Sequence, residues 1–400
     1  MEEPMTSAER KEGRYQRRKA RREATRAAKV ARFDNFEKVF TIEHLYHGYR
    51  MSRLGVRWKA STQRYIANAL LNIAETHAQL MAGTFRSHGF YEFDLFERGK
   101  PRHIRSVDMH ERVVQRCLCD YSLIPLLCRS FIHDNGASMK HKGYSFAVNR
   151  MRRHLRRHIR QHGPDGYALL FDFKSYFDSI PHELLASILR KKYTDERLLK
   201  LIMHFIECFG EKGLGLGSQI SQVLALAAAD RIDHHIKDVL RFKNYGRYMD
   251  DGYVISDSKE RLQHCRREIL RLCKEMGLQL SEKKTRIVPL RRGFTWLKIK
   301  VNVLPSGRLL QRAWRKSVIR ERRKLKKLKN IVDSGKLTVK DAWQSLQSWD
   351  SHLIGLNAYR TRKTMRILFD RLYLQGGQSP TNAAHCAQWA SVASAVASPR

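Results

Sequence analysis

Apolar residues return along this chain with two different periods, and the changes of period divide it into elements. Between residues 36 and 90, Tyr65, Ile66, Leu70, Leu71, Ile73, Ala74 and Leu80 recur at helical spacing, with His77 at the core's edge on the same face. From Phe90 to Asp108 the alternation around Gly99-Lys100-Pro101 predicts a hairpin. Helical spacing resumes over Arg112 to Cys128, through Val113, Val114, Leu118, Ile124 and Leu127, and residues 151–163, MRRHLRRHIRQHG, read as a basic helix. Tyr167 to Phe173, YALLFDF, has the pattern of a buried strand with Asp172 near its end. Pro181 suits a helix start, and helices follow over 183–210. A glycine-rich loop over 213–222 leads into a helix over 223–240, and Tyr245 to Ser256 alternates as a second hairpin with Asp250 and Asp251 near its turn. A helix over 258–276, a short hairpin over 293–304, a strongly basic helix over 312–330 and two more helices over 338–374 complete the pattern. Gly, Ser, Pro, Thr and Ala take over from Gln375 in a loose tail, and no fixed-period repeat is present.

Composition narrows the class. With 400 residues and 42% apolar content the chain can bury a real core, and its length suggests two or three compact units, because single cores split beyond roughly 250–300 residues. Lys and Arg number 77 against 39 Asp and Glu, a net charge of +38. Such an excess repels itself unless a polyanion neutralises it, so nucleic acid is the natural partner. The charge is spread along the chain rather than gathered at one end, which argues against a solubility tail or a membrane-surface patch. Residues 10–32, RKEGRYQRRKARREATRAAKVAR, read as an arm that is helical on RNA, the alternative being a solvated charge run. Seven cysteines, an odd count at irregular spacing, argue against a disulfide framework and suggest free thiols in a reducing compartment. No apolar run is long enough to span a membrane, and no secretory signal is recognisable at the N-terminus.

The candidate chemistry lies in Asp172, Asp250 and Asp251. Carboxylates at a buried strand end and at a hairpin turn are costly unless cations compensate them. Two Mg²⁺ ions, with Mn²⁺ as a substitute, would neutralise the cluster and catalyse phosphoryl transfer. The competing reading is a set of surface carboxylates on a hairpin. His154 and His158 stand four residues apart, but no Glu lies between them and no third ligand is evident, so this helix reads as a basic nucleic-acid face carrying Arg152, Arg153, Arg156 and Arg157. Arg315, Arg322 and Lys326 give the helix over 312–330 the same character.

Tyr248-Met249-Asp250-Asp251 resembles the Y-x-D-D box of reverse transcriptases, and Asp172-Phe173-Lys174-Ser175-Tyr176-Phe177 is similar to the first catalytic motif of that family. Leu280-Ser281-Glu282-Lys283-Lys284-Thr285 resembles its lysine-containing motif, and Phe294-Thr295-Trp296-Leu297 sits where the family has its primer grip. The resemblance covers roughly residues 60–375 and keeps the family's order. It implies an α+β right-hand polymerase fold. A basic arm would occupy 1–32, N-terminal helices and fingers 33–165, the first part of the palm 166–182, a helical insertion 183–215, the rest of the palm 216–304, a helical thumb 305–375 and a tail 376–400. It also implies roles. Asp172, Asp250, Asp251 and the Phe173 carbonyl would hold metal, and Phe177 would stand as a steric gate against ribose. Lys100, Arg102, Arg105, Gly217 and Lys284 would bind the dNTP, with spacing leaving open which of the three fingers residues touches phosphate. Phe294, Trp296 and Leu297 would form the primer grip. RNA template, dNTPs and a cDNA product follow as partners, in a cytoplasmic protein of bacterial or phage origin.

Leu216 and Gln222 depart from the pattern of most bacterial reverse transcriptases, which carry Gln and Pro there. This variant loop, and Ser348-Trp349-Asp350-Ser351-His352 with Asn357 and Tyr359, resemble enzymes of diversity-generating retroelements, which copy a template RNA with frequent errors at adenines and need a small accessory protein. The long basic arm argues against that assignment, and other bacterial lineages, phage-defence reverse transcriptases among them, also carry variant motifs, so a defence enzyme is the alternative. Residues 376–400 are too few for a maturase, an HNH module or an RNase H domain after the thumb. A non-catalytic RNA-binding protein is the rival from another class.

Overall fold

In the computed structural model, which describes residues 6–87, 89–97 and 100–374, the alternation starting at Phe90 becomes strand β1 (Phe90–Glu97), antiparallel to β2 (Lys100–Val107). The register runs from Phe90↔Val107 to Glu97↔Lys100; Arg98 and Gly99 lie outside the described residues, as does the tail expected from Gln375. A second sheet holds β3 (Tyr167–Asp172), β4 (Tyr245–Tyr248), β5 (Asp251–Ser256) and β6 (Arg286–Pro289) in the order β4-β5-β3-β6. Helix Tyr144–His162 packs on β4 and β5, and helix Lys259–Glu275 on β3 and β5. Coverage of this kind explains why β3 reads as one apolar run rather than an alternation: Ala168 to Asp172 are all buried.

The chain divides into two units, residues 1–288 and 289–400. Antiparallel sheets and helices mix in an α+β fold. In the first unit, helix Gln219–Ala228 is buried almost all round, from Ile220 to Ala228 apart from Gln222, and its apolar character on every side marks a central helix. The loop expected over 213–222 therefore ends early. Gln219 to Gln222 are already helical, because Ile220, Val223 and Leu224 enter the core together. Helix Ser7–Phe33 is exposed along most of its length and is anchored at its end, where Ser122 Oγ donates to the Phe33 carbonyl at 2.8 Å and Asp34 accepts from the Thr194 and Asp195 amides at 2.7 and 3.1 Å. The single amphipathic face expected across Tyr65 to Leu80 is broken at Asn68, which separates helix Ala60–Ala67 from Ala69–Ala82. Tyr65, Ile73 and Leu80 are buried, but Leu70 and Leu71 face outward because the helical phase restarts at the break.

In the second unit, β7 (Phe294–Trp296), β8 (Ile299–Val303) and β9 (Leu309–Ala313) form one antiparallel sheet. The hairpin expected over 293–304 thus has a third strand, and the basic helix begins at Arg315 rather than 312. Helices Arg315–Asp333, Val339–Ser351 and Tyr359–Tyr373 close on Leu325, Ala342, Leu346, Met365, Phe369 and Tyr373. Thr338 and Asp341 form a capping box that starts the middle helix. The cysteines among the described residues are free, and no described helix is long and apolar enough to cross a membrane.

Candidate active site

The carboxylates are brought together by strand register. Asp172 ends β3 and lies opposite Asp251, which opens β5; Tyr248 of β4 pairs with the same Asp251. That leaves Met249 and Asp250 as a two-residue turn. Met249 takes φ 55°, a left-handed conformation that a non-glycine residue adopts at a cost. Gly252 follows at the tightest point of the sheet. A Cβ there would stand 2.2 Å from the Phe171 ring, so only glycine lets β3 and β5 close immediately behind the acids. Next along the chain, the Phe173 amide faces the Asp250 carbonyl at 3.4 Å, and the Lys174 amide donates to Gln279 at 2.8 Å. Ser281 donates its amide to the Asp172 carbonyl at 2.7 Å. By running Gln279 to Ser281 beside Asp172, these bonds deliver Lys284, whose Nζ lies 2.7 Å from both Asp172 carboxylate oxygens.

Burial and mutual repulsion govern the charge state. Asp251 is pushed up to about 8, by burial first, then by its hydrogen bond to Asp172 and the charge of Asp250, with Lys284 opposing. Asp250 moves up for the same leading reason, burial, and then the charge of Asp172, while Lys284 and Arg102 pull it down. Burial works against the charge of Lys284, but Asp172 more than restores it and the net movement is upward. Cation demand is therefore built into the cluster. Among the described residues no three His, Cys, Asp or Glu side chains converge as a cage for one ion. The pairing of Asp172 with Asp251, and Asp250 beside them, suits a hard divalent ion that takes one or two carboxylates and completes its shell with substrate phosphates and water.

A pH-dependent metal response follows. Asp251 is raised to about 8 and Asp250 moves in the same direction, so the folded chain holds more protons than the unfolded chain above about pH 4, at Asp251 up to about pH 8. Without metal, their contribution to stability is present at low pH and is lost as pH rises through the folded values. A divalent ion reverses that loss. At about 100 times its Kd it should add about 2.7 kcal/mol, or roughly 5 °C in Tm, at pH 8 and clearly less at pH 5.5. Thermal melts with and without Mg²⁺ or Mn²⁺ measure the difference, and equal shifts at both pH values would refute metal binding at these acids.

The other residues singled out from the sequence sort by where they point. Arg102 lies near enough to Asp250 to lower its pKa, whereas Arg105 is engaged elsewhere, its Nη1 donating to the Phe209 carbonyl at 2.7 Å and its Nε 3.1 Å from Glu92. The Lys100 side chain is outside the described set. The Arg105 amide donates to the Leu216 carbonyl at 3.1 Å, and Gly217, at φ 116°, would bring a Cβ to 3.0 Å from the Arg105 carbonyl, so the Leu216-Gly217 segment is where β2 docks. Phe177 is half-buried, with its carbonyl accepting from Leu214 at 2.7 Å. Gln222 is exposed on the central helix and accepts from Ser138 Oγ at 2.8 Å. In the second unit Phe294 and Trp296 are buried, and Leu297 forms the β7–β8 turn with Lys298, both at positive φ.

On helix Tyr144–His162, Arg153 and Arg156 are exposed and Arg152 and Arg157 half-buried. His154 and His158 instead turn inward, to the Tyr253 hydroxyl at 2.9 Å and the Asp165 carbonyl at 2.6 Å. Arg315, Arg322 and Lys326 are exposed, and the last two line a groove of about 570 Å³ with Arg323, Arg371 and Ile367.

Sequence reading missed Arg247. Its side chain is fully buried against Asp233, also fully buried, with Nε and Nη2 donating to the two carboxylate oxygens at 2.8 and 2.6 Å. The Tyr245 hydroxyl donates to the same Asp233 at 2.5 Å. The signal available was a charged residue inside an apolar strand, directly before the Tyr248 box.

A model of the family described as reverse transcriptase (RNA-dependent DNA polymerase) matches residues 98–301, just over half the chain. No curated protein matches. Among solved structures the chain is similar to apo telomerase from Candida tropicalis truncated from the C-terminal domain, at 13% identity over 56% of this chain and 54% of that one, with a TM-score of 0.42. It is similar to telomerase from Candida albicans in complex with a TWJ fragment of telomeric RNA, at 10% identity over 72% and 60%, TM-score 0.44. A second apo telomerase from Candida tropicalis gives 12% over 71% and 63%, TM-score 0.43. The chain thus spans less than two thirds of each of these telomerase chains.

Proposed function

The chain belongs to the reverse transcriptase (RNA-dependent DNA polymerase) family, and we propose that it extends a primer 3′-hydroxyl with dNTPs on an RNA template at Asp172, Asp250 and Asp251. The observation that carries this reading is the facing pair Asp172 and Asp251 with Asp250 in the adjoining turn, buried enough to demand cations. Asp172, Asp250 and Asp251, with the Phe173 carbonyl, would hold two Mg²⁺ ions, or Mn²⁺, which would supply activation of the hydroxyl and charge compensation at the triphosphate. The protein's own part is to fix the acids by strand register, to meet the triphosphate with Arg102, and to place Phe177 beside the sugar. Lys284 balances Asp172 and stands ready for phosphate. Incorporation of dNTPs on a defined RNA template with Mg²⁺ or Mn²⁺ tests it; absence of template-dependent synthesis would leave an RNA-binding protein.

In this reading the hairpin β1–β2 belongs to the fingers, the sheet β4-β5-β3-β6 to the palm and the helices after Arg315 to the thumb. The arm, the exposed Arg153 and Arg156, and the Arg322-Lys326 groove would track RNA phosphates.

We further propose that the copied RNA is a dedicated structured RNA and that the cDNA carries elevated errors, as in sequence diversification assisted by a small accessory protein. Leu216 and Gln222 support this. The Leu216 side chain offers neither donor nor acceptor where that of Gln would offer both, and fewer polar constraints make a mispair less costly. Each 1.4 kcal/mol of discrimination is about tenfold in error rate. Leu216→Gln should therefore lower misincorporation by up to about tenfold, read by deep sequencing of cDNA from one template. Equal error spectra would remove the argument and favour the defence setting.

A further inference from the structure

The catalytic turn is strained and short, and one buried side chain reaches it. Arg247 Nη1 donates to the Met249 carbonyl at 2.7 Å. Its Nη2 donates to the Leu226 carbonyl, on the central helix, at 3.1 Å, and Asp233 accepts from both Nε and Nη2. The backbone of Arg247 is fixed as well. Its amide donates to the Asp134 carbonyl at 3.2 Å and its carbonyl accepts from Gly136 at 2.9 Å, so residues 134–136 form a short parallel bridge beside β4. Asp134 is itself held by Arg150 at 2.5 Å and Lys237 at 2.6 Å.

We propose that Arg247 is a positioning residue for DNA synthesis: its guanidinium, locked by Asp233, holds the Met249 carbonyl and thereby sets where the Asp250 and Asp251 carboxylates stand. Three features favour this over a pair that only adds stability. A buried ion pair is a weak source of stability and can often be replaced by apolar side chains without loss. The planar fork lets one cation meet both oxygens of an acid, a helix carbonyl and the turn at once, four bonds where an ammonium has three donors on a single nitrogen. And the carbonyl chosen is that of Met249, the residue at positive φ, where an added bond holds a conformation the chain would otherwise leave. The inference rests on the polymerase reading of the carboxylates.

Two variants separate positioning from folding. Arg247→Lys keeps a charge for Asp233 but loses the fork. The double variant Arg247→Met with Asp233→Leu removes both charges and fills the space. In whichever variant melts cooperatively near the wild-type temperature, kcat for dNTP addition should fall on the order of 10²-fold, the loss typical of a small misplacement, while the dNTP KM and the RNA Kd stay within about threefold. Mn²⁺ binding, followed by EPR titration of the protein without nucleic acid, should weaken by roughly tenfold, about 1.4 kcal/mol. Full kcat or wild-type Mn²⁺ affinity in a folded variant overturns the proposal. Unfolding of both variants also overturns it, by assigning Arg247 to the fold. If the wild type makes no DNA, the polymerase reading fails, and Mn²⁺ affinity alone still decides whether Arg247 orders the acids.

Discussion

Asp251→Asn should lower the rate of RNA-templated DNA synthesis by on the order of 10³-fold or more, with Asp172→Asn and Asp250→Asn close behind. The amide keeps the shape of the carboxyl and removes the charge that a divalent ion needs, so the loss falls on chemistry rather than on folding. The same geometry predicts an opposite effect on stability. Burial and neighbouring acids raise Asp250 and Asp251, so at pH 8 without metal each ionised carboxylate works against the fold. A neutral Asn at 250 or 251 relieves that repulsion, and these variants should melt at or above the wild-type temperature in EDTA at pH 8. RNA affinity should stay within about threefold, because phosphate contacts made by exposed Arg and Lys dominate it. Single-turnover primer extension, filter binding and melts on the same preparations read all three. Robust extension by Asp250→Asn would remove the catalytic assignment, and a large drop in melting temperature would mean the acids are structural.

Much of this site is legible because it is local in sequence. The apolar run of β3 ending in Asp172, and the alternation around Asp250 and Asp251, each predict an element whose end carries an acid, and antiparallel pairing then brings the ends together. What escapes is what depends on partners far along the chain. The match of Arg247 with Asp233 depends on helix Asp230–His234, which follows the central helix and carries Asp233. Lys284 reaches Asp172 across 112 residues, through backbone bonds that no side-chain pattern announces. The start of the central helix at Gln219 was hidden because a helix buried on nearly all sides shows no 3.6-residue contrast. Leu70 and Leu71 mislead for the converse reason: their spacing is regular, but the break at Asn68 turns them to solvent. The basic helices are legible as helices, while the inward turn of His154 and His158 depends on Tyr253 and Asp165, partners far along the chain or beyond the helix end.

Sugar selection offers the second large effect. Phe177 stands five residues beyond Asp172, after Ser175 in a left-handed conformation at φ 46° that turns the chain out of β3. Its backbone is held by the Leu214 amide at 2.7 Å, and its ring meets Tyr176 edge-on at a centroid distance of 6.0 Å. Tyr176 is buried, with its hydroxyl on the Ala225 carbonyl at 2.5 Å. The ring of Phe177 is thus backed by a fixed neighbour and cannot easily retreat. A ribose 2′-hydroxyl pressed against such a wall meets the cost of overpacking, about 1–3 kcal/mol, which corresponds to roughly 10–100-fold in rate. Phe177→Ala should reduce the preference for dNTP over rNTP by that factor, chiefly by raising incorporation of rNTP. Because the ring is only half-buried, the same change should cost less than the 3–5 kcal/mol typical of a fully buried Phe→Ala, leaving the protein folded for the measurement. Phe177→Tyr keeps the wall and should keep the discrimination. Single-nucleotide kinetics with matched dNTP and rNTP on one RNA template decide the matter. If Phe177→Ala selects sugars as well as the wild type does, Phe177 is a packing residue only, and selection must lie with another side chain near the carboxylates.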